Sequence, residues 1–372
     1  MAIKLSNLTF TEQDDIVPAS GVEEILNTGI ANTLAGNDII IGTKEMTTSD
    51  TSFQDRFSSI FNSGTLNTAD GNDIITGTIS GIEDSPDYYS YYGIYNIGSI
   101  CTGDGNDKIM GRGVYGLVNY FTIATDNGND TISGTGEGGA AGLYTRETIN
   151  TGDGDDIITG TNTSGGGYGI FNGFGTPEQL DGSTSTIDSG EGNDTITGIA
   201  AFGIVNLAII NTGNGADSII CDASSNNGTG YGFYNVNIIN TGNGNDLITE
   251  ISSHSIHNLG IINTGNGDDS IIAEGGFYED PFNPSSSIPG RVFLENGKDY
   301  LKSFGRGIFN GGNGKDTLEL TPGSYTVGIS GTVVNFTKGS TIMQTSDFEI
   351  LKAGNTTYGI PSLIDGQTII VA

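Results

Sequence analysis

The sequence predicts an all-β chain that folds as a right-handed parallel β-helix, with one acidic turn per coil and a β-rich C-terminal cap. Three observations lead to this fold: a short glycine-rich motif recurs along the chain, prolines avoid the inferred strands, and length variation gathers at one corner. Recurrence of this kind marks a solenoid, because each copy is one coil that must stack on its neighbours.

The motif ends on an aspartate, and its best-preserved copies read Asn-Thr-Gly-x-Gly-Asn/Asp-Asp-x-Ile, as in Asn150–Ile158 and Asn240–Ile248. Without the degraded copy Asn296–Leu301, successive motif aspartates lie 23 to 47 residues apart. The motif aspartates are Asp38, Asp73, Asp107, Asp130, Asp156, Asp194, Asp217, Asp246, Asp269, Asp299 and Asp316.

A carboxylate that follows a tight glycine turn and recurs in register is suited to a hard cation, and Ca²⁺ is the expected one. The chain carries a net charge of −31. Rungs about 4.8 Å apart would stack these carboxylates along one edge, where they would repel. We therefore expect Ca²⁺ binding and folding to be one event. The alternative is that the acidity only confers solubility.

Two columns of asparagine divide each coil into three short strands. The first column lies eleven residues before the motif aspartate, as at Asn62, Asn96 and Asn206, and stacked amides can bridge along it. Asn172 joins this column only if residues 173–183 are an insertion. The second column lies six residues before the aspartate, as at Asn211. All eight prolines fall outside the inferred strands, as a continuous hydrogen-bond ladder requires.

The segment Gly311–Glu319 reads Gly-Gly-Asn-Gly-Lys-Asp-Thr-Leu-Glu and resembles the nonapeptide of the RTX (haemolysin-type) calcium-binding repeats. Other copies have Thr in place of the first glycine, and the family's back-to-back β-roll spacing is absent. The resemblance implies roughly eight to eleven Ca²⁺, glycine-turn carbonyls as ligands beside the aspartates, and an inward apolar residue two positions after each aspartate. The implied glycines are Gly103, Gly105, Gly152, Gly154, Gly213, Gly215, Gly242, Gly244, Gly265, Gly267, Gly312 and Gly314.

The expected organisation is an N-terminal cap (1–24), a calcium-binding β-helix (25–320) and a C-terminal β cap (321–372). Loop insertions are expected at 43–58, 78–92, 173–183 and 274–306. The cap is similar to the uncleaved tail that guides RTX proteins through type I export, which implies an extracellular or cell-surface location; a cytoplasmic one stays open. With 13 Lys+Arg against 44 Asp+Glu, nucleic acid is not an expected partner, and no apolar run has membrane-spanning length.

One column of large side chains, twelve residues before the motif aspartate, is expected on the outside of a sheet, with an aliphatic column beside it facing inward. Rings on a sheet face suit a glycan or a small aromatic molecule, although corner loops folding over them is the simpler expectation. The possible ligand surface comprises Tyr88, Tyr91, Tyr95, Tyr144, Phe171 and Tyr234.

Calcium binding by an exported structural or interaction module is the main functional expectation. The alternative is a β-helix enzyme on the aromatic face, either a glycan lyase or epimerase, or a natural-product alkylating or cyclising enzyme. The chain also resembles the calcium-repeat half of cyanobacterial cyclophane-forming alkylating enzymes, but it lacks their β-propeller, so no activity is transferred. Arg56, Arg112 and Arg146 would be the residues to inspect in such an enzyme.

Other residues give weaker expectations. His254 and His257 are expected at the surface or in a loop, too badly placed to act together. Cys101 and Cys221 are expected to be buried free thiols, because four rungs separate them by more than a disulfide can span. Ice binding needs two outward threonine columns, whereas the recognised column (for example Thr212 and Thr241) lies inside the acidic turn.

Overall fold

The computed structural model describes residues 2–18, 24–45, 57–81, 91–175, 184–223, 231–252, 254–278 and 289–372. Its strands form three long sheets, and the chain passes through the first, second and third sheet in turn before it starts the next rung. Neighbouring rungs pair in parallel and in register, as in Leu117↔Leu143 and Ile109↔Ile132. The predicted parallel β-helix is therefore confirmed.

The first sheet has eleven strands within the described ranges, and all of its pairings are parallel. They are Ile3–Lys4, Ile25–Asn27, Phe57–Asn62, Tyr91–Asn96, Tyr115–Asn119, Ala141–Thr145, Tyr168–Asn172, Phe202–Asn206, Phe233–Asn235, Ile256–Asn258 and Phe277–Tyr278.

The second sheet begins with eleven solenoid strands, again counting described residues. They are Ile30–Asn32, Thr65–Asn67, Ser99–Cys101, Thr122–Ala124, Thr148–Asn150, Thr186–Asp188, Ile209–Asn211, Ile238–Asn240, Ile261–Asn263, Arg291–Phe293 and Gly307–Asn310. The cap then extends this sheet with Thr341–Ser346, Val333–Lys338, Gly323–Ser330 and Thr368–Val371, and the pairings between these four are antiparallel.

The third sheet holds the strand that follows each acidic turn. Its described strands are Ile16–Val17, Ile39–Glu45, Ile74–Ser80, Lys108–Gly113, Thr131–Gly136, Ile157–Asn162, Thr195–Ile199, Ser218–Asp222, Leu247–Glu250, Ser270–Ala273, Tyr300–Lys302, Thr317–Leu320, Ile350–Ala353 and Thr356–Gly359. A small ladder joins Asn296–Gly297 to Asn313–Gly314. The helices in the described ranges are two 3-10 turns, Leu5–Asn7 and Ile360–Ser362, and neither could cross a membrane.

Three aliphatic columns, one from each sheet, fill the solenoid. One rung contributes Ile94, Ile100 and Ile109, all fully buried in one continuous core. Burying an isoleucine side chain contributes about 1.5–3 kcal/mol, so the column repeats a similar gain in every rung. The inward residue two positions after each motif aspartate, which the RTX resemblance implied, is Ile109 in this rung.

The structure differs from the expected insertions at their edges. Residues 43–45, 57–58, 78–80 and 91–92 continue strands, and the range 274–306 contains a whole rung with strands in all three sheets. The rung between Asp299 and Asp316 is short because it has no strand in the first sheet, which ends at Phe277–Tyr278. The four prolines in described ranges, Pro18, Pro289, Pro322 and Pro361, all lie outside strands, as expected.

Candidate metal centre

The eleven motif aspartates form one column at the corner between the second and third sheets. Each immediately precedes a strand of the third sheet, and each is at most 2% exposed. The sequence predicts carboxylates stacked along one edge, and the structure has this column with its side chains buried. The exposed positions of the turn are those before the aspartate, for example Asp104 and Asn106.

One oxygen of each carboxylate is held by the backbone of the rung before it. The N–H of Asp38 donates to Oδ1 of Asp73 at 2.7 Å, and the N–H of Asp73 donates to Oδ1 of Asp107 at 2.8 Å. The same bond repeats at 2.8–2.9 Å through every later step to Asp316. The register of the third sheet therefore fixes the orientation of every carboxylate.

The second oxygen, Oδ2, has no hydrogen-bond partner in any of the eleven motif aspartates and is shielded from solvent. Threonine hydroxyls near the column donate to carbonyls of the next rung: that of Thr212 goes to the carbonyl of Thr241 at 3.2 Å, and that of Thr241 to the carbonyl of Thr264 at 3.1 Å. Thr102, beside Asp107, differs because its hydroxyl has no partner. Buried polar atoms without partners are rare in native proteins, so a whole column of them calls for an explanation.

Burial dominates the protonation of this column. The pKa of Asp73, Asp130, Asp194, Asp246 and Asp299 is raised to about 7, chiefly by desolvation and also by neighbouring carboxylates of the column. The backbone N–H that each carboxylate accepts lowers the pKa of Asp73 and Asp130 but does not outweigh desolvation. The structure thus penalises negative charge here unless a cation compensates it.

The predicted glycines have the conformation that such turns need. All twelve have φ between 82° and 155°, a region that L side chains rarely adopt. A Cβ added at Gly242 would overlap the carbonyl oxygen of Gly213, and one at Gly105 would overlap that of Gly71. Glycine is required because the turns of adjacent rungs are in backbone contact.

The aspartate side chains supply only part of the oxygen ligands that a Ca²⁺ ion needs. Ca²⁺ takes six to eight oxygen ligands, and the unpartnered Oδ2 atoms supply buried anionic oxygens at regular intervals. Within the described ranges, no three Asp, Glu, His or Cys side chains cluster closely enough to hold a metal. An ion on this column would therefore draw its other ligands from backbone carbonyls and water.

The column is longer than the motif indicated. The N–H of Asp15 donates to Oδ1 of Asp38, and the N–H of Asp316 donates to Oε2 of Glu349. Asp15 and Glu349 thus occupy the aspartate position in the rungs at the two ends, next to Ile16 and Ile350 of the third sheet. The 23-residue step from Asp15 to Asp38 was the available signal for the first; the sequence offers none for Glu349.

The first asparagine column is a buried amide ladder. Nδ2 of Asn62 donates to Oδ1 of Asn96 at 2.7 Å, and Nδ2 of Asn172 donates to Oδ1 of Asn206 at 2.8 Å. Asn172 pairs with its neighbours in the first sheet, as expected if the residues after it are an insertion. Thr145 accepts from Asn119 where the ladder lacks an asparagine.

The outer face of the first sheet carries a continuous ribbon of touching rings. It runs from Phe61 and Tyr95 to His257 and Tyr278, with centroid separations of 4.5–6.4 Å. We call it the aromatic ribbon; its members are Phe61, Tyr92, Tyr95, Tyr115, Tyr120, Tyr144, Tyr168, Phe171, Phe202, Tyr231, Tyr234, His257 and Tyr278. They pack outside the main core, which agrees with the predicted orientation.

The suggested ligand surface is mostly inaccessible. Tyr95 and Tyr234 are 1% exposed and Phe171 is 3% exposed, because ribbon rings pack over one another. Tyr144 is half-buried, and burial raises the pKa of its hydroxyl. Tyr91 is buried against Phe57 beside the ribbon. Tyr88 lies outside the described residues.

The candidate catalytic residues are dispersed. Arg146 donates to the hydroxyl of Tyr144 at 2.5 Å and lies over the rings of Tyr120 and Phe174. Arg112 pairs with Glu137, and Arg56 lies outside the described residues. The expectation of a surface histidine is wrong for His257, which is buried between Tyr231 and Tyr278 because it belongs to the ribbon.

The remaining polar candidates stand apart from the aspartate column. His254 lies within hydrogen-bond distance of Ser252, which also contacts the buried Glu250. Both cysteines are free; Cys221 is buried as expected, whereas Cys101 is only half-buried because its position faces outward.

The recognised threonine column lies inside the turns, as expected: Thr212 and Thr241 are 0% exposed. Sequence reasoning missed outward threonines on the third sheet, where Thr135 pairs with Thr161 and Ser133 with Thr159. Met110 and Arg112 interrupt both of these columns, so the described part of the sheet presents no unbroken hydroxyl array.

Comparison of the chain with protein-family models found no match, and comparison with curated proteins found none either.

Proposed function

We propose that this protein is an RTX-like calcium-binding β-helix protein whose folding is coupled to Ca²⁺ and which acts outside the cell as a structural or interaction module. The observation that carries the proposal is the column of buried Oδ2 atoms without partners. Oxygen-rich, anionic and regularly spaced positions match the ligand preference of Ca²⁺.

Energetics support a bound cation over a bare column. A buried polar group without a partner costs about 1–3 kcal/mol, and a charged one more. Eleven such carboxylates would together exceed the roughly 5–15 kcal/mol by which a domain is stable. A divalent ion between neighbouring rungs would remove this cost by pairing with the free oxygens, so the loaded form would be the folded form.

Circular dichroism and metal analysis test the proposal together. In Ca²⁺ the protein should show a strong β-signal and retain roughly eight to eleven ions after dialysis. Removing Ca²⁺ with EGTA should reduce the β-signal, and readding Ca²⁺, but not equimolar Mg²⁺, should restore it. An unchanged spectrum in EGTA together with no retained Ca²⁺ would refute calcium-coupled folding.

The rival function is a β-helix enzyme on the aromatic face. Arg146 and His257 both lie beside tyrosines, which is the composition such a site needs. The rings around them are packed against each other, however, and Tyr95, Phe171 and Tyr234 present almost no surface to a substrate. The geometry therefore favours the calcium-binding module.

A further inference from the structure

The aromatic ribbon stops at one rung near the N-terminus. Phe61 stacks on Tyr95 with centroids 5.8 Å apart and ring planes 26° apart. In the preceding rung the same position is Leu26, which pairs with Phe61 across the first sheet. The Leu26 side chain is smaller than an aromatic side chain, so the row of rings ends at Phe61 and leaves space beside Leu26.

A cavity of about 490 Å³ opens at this place. Its lining includes Leu26, Phe61, Tyr95 and Ile97, with Lys44 and Glu24 at the same opening. Small-molecule sites typically measure about 300–1,000 Å³ and combine apolar walls with a few polar groups. The end of the ribbon therefore has the size and composition of a ligand site.

The two charged residues of the cavity, Lys44 and Glu24, form an ion pair next to the ring of Phe57. Lys44 Nζ is bonded to a carboxylate oxygen of Glu24 and lies 4.5 Å from the centre of the Phe57 ring. The Lys44 side chain is 16% exposed and that of Glu24 is 36% exposed, so both can be approached from the cavity. A positive and a negative group thus lie together in the lining of the cavity that also contains Phe61 and Tyr95.

We propose that this cavity binds an aromatic α-amino acid or a small derivative that keeps both charged ends. The ligand's ring stacks on Phe61 above Leu26 and extends the ribbon by one member. Its ammonium group pairs with Glu24 and its carboxylate with Lys44. The net charge of −31 disfavours a simple anion, whereas a zwitterion has no net charge to repel.

L-Tryptophan is a suitable probe because the chain contains no tryptophan, so indole fluorescence reports only the ligand. Calcium-loaded protein should bind it saturably with a Kd on the order of 0.1–1 mM. Tryptamine and indole-3-propionate, which each lack one charged end, should bind about tenfold more weakly or worse. Equal binding of all three compounds would overturn the assignment of the charged ends.

Three variants locate the site. Phe61→Ala removes the stacking ring and Leu26→Phe fills the cavity, so each should weaken L-tryptophan binding about tenfold or more. Phe121→Ala is the matched control, because this 52% exposed ring is not among the residues lining the cavity, and it should leave binding unchanged. Far-UV circular dichroism and Ca²⁺ content check that each variant is folded.

No saturable binding by the folded, calcium-loaded wild type would overturn the proposal, as would full binding by Leu26→Phe. This result is separable from the calcium proposal, because the Ca²⁺ content is measured in the same samples and does not depend on the ligand.

Discussion

The backbone N–H of Asp107 donates to Oδ1 of Asp130 at 2.8 Å, and Oδ2 of Asp130 has no partner. Asp130→Asn keeps an amide oxygen for the N–H but removes the negative charge. In Ca²⁺ we expect about one or two fewer bound ions and a lower Tm, because a Ca²⁺ ligand is lost. In metal-free buffer the variant should be no less stable than the wild type, since position 130 of the variant no longer buries a carboxylate.

Asp104→Asn is the matched control for this change. Asp104 lies in the neighbouring turn but is exposed, so its substitution should leave the Ca²⁺ content and the Tm in Ca²⁺ nearly unchanged. If Asp130→Asn retains all its ions, as measured by metal analysis after dialysis, the column is not the metal site.

The stability of the metal-free protein should fall as the pH rises. Asp73, Asp130 and Asp194 have a pKa raised to about 7 in the folded chain, from an unfolded value of 3.8. The folded state therefore binds more protons than the unfolded state between these values, and this stabilisation is fully present below 3.8 and lost as the pH passes 7. A urea series that starts from zero urea, followed by far-UV circular dichroism on metal-stripped protein at pH 5 and pH 8, measures the difference and also registers a protein that is already unfolded without urea.

Calcium should reverse this dependence. The ions need ionised carboxylates, so saturating Ca²⁺ should stabilise the protein more at pH 8 than at pH 5. The same urea experiment repeated in Ca²⁺ provides the comparison; a stability that does not change with pH in either condition would contradict both the burial and the metal role of the column.

Gly242→Ala should destabilise the calcium-loaded protein by about 2–4 kcal/mol, from an unfavourable left-handed backbone and a steric overlap. Gly242 has φ of 94°, and an added Cβ would meet the carbonyl oxygen of Gly213. Gly139→Ala is the control: nothing lies within 4 Å of its added Cβ, so its effect should stay within about 0.5 kcal/mol. Chemical unfolding of both variants gives the two values, and equal values would refute the close approach of the turns.

Asn206→Leu should cost about 1–3 kcal/mol, because it leaves buried donors and acceptors of the amide ladder without partners. Asn206 accepts from Asn172 and donates to Asn235, both at 2.8 Å. Asn206→Thr should cost less, since Thr145 already accepts from Asn119 at the same position. Thermal unfolding ranks the two variants, and the Ca²⁺ content of both should match the wild type because the ladder lies away from the metal column.

Much of the architecture could be predicted because the motif repeats. The register of Asp107 with Asp130 places Ile109 beside Ile132 and Asn96 beside Asn119, and the structure has these pairs. The spacing of residues within the motif predicts the aspartate, asparagine and aliphatic columns, since equivalent positions of successive repeats become neighbours in a solenoid. Binding of Ca²⁺ stays a prediction.

The ends of the column could not be predicted from the motif, and the reason is physical. The glycine at Gly36 is needed because an added Cβ would meet the backbone of Gln13 in the rung before it. The turn that contains Gln13 is the first described turn, and it leads to Asp15 without any glycine. A glycine is needed where a turn approaches the backbone of the rung before it, so a motif search that requires glycine overlooks the first turn of the column.

His257 was misplaced for a different reason. Alternation along the strand predicts which face a side chain takes, but it does not predict what packs on that face. Tyr231 covers His257 from a residue that precedes its own strand, with ring centroids 4.5 Å apart. Burial of this kind depends on contacts between segments outside the repeating strands.

The distribution of tyrosine separates two optical signals. Among the described residues, every tyrosine except Tyr300, Tyr325 and Tyr358 lies on or beside the first sheet, whereas the aspartate column occupies the corner between the other two. Because the chain has no tryptophan, near-ultraviolet circular dichroism consequently reports chiefly on ring packing along the first sheet. Following that band during stepwise chelation would reveal whether the ribbon loosens together with the distant corner or only after it.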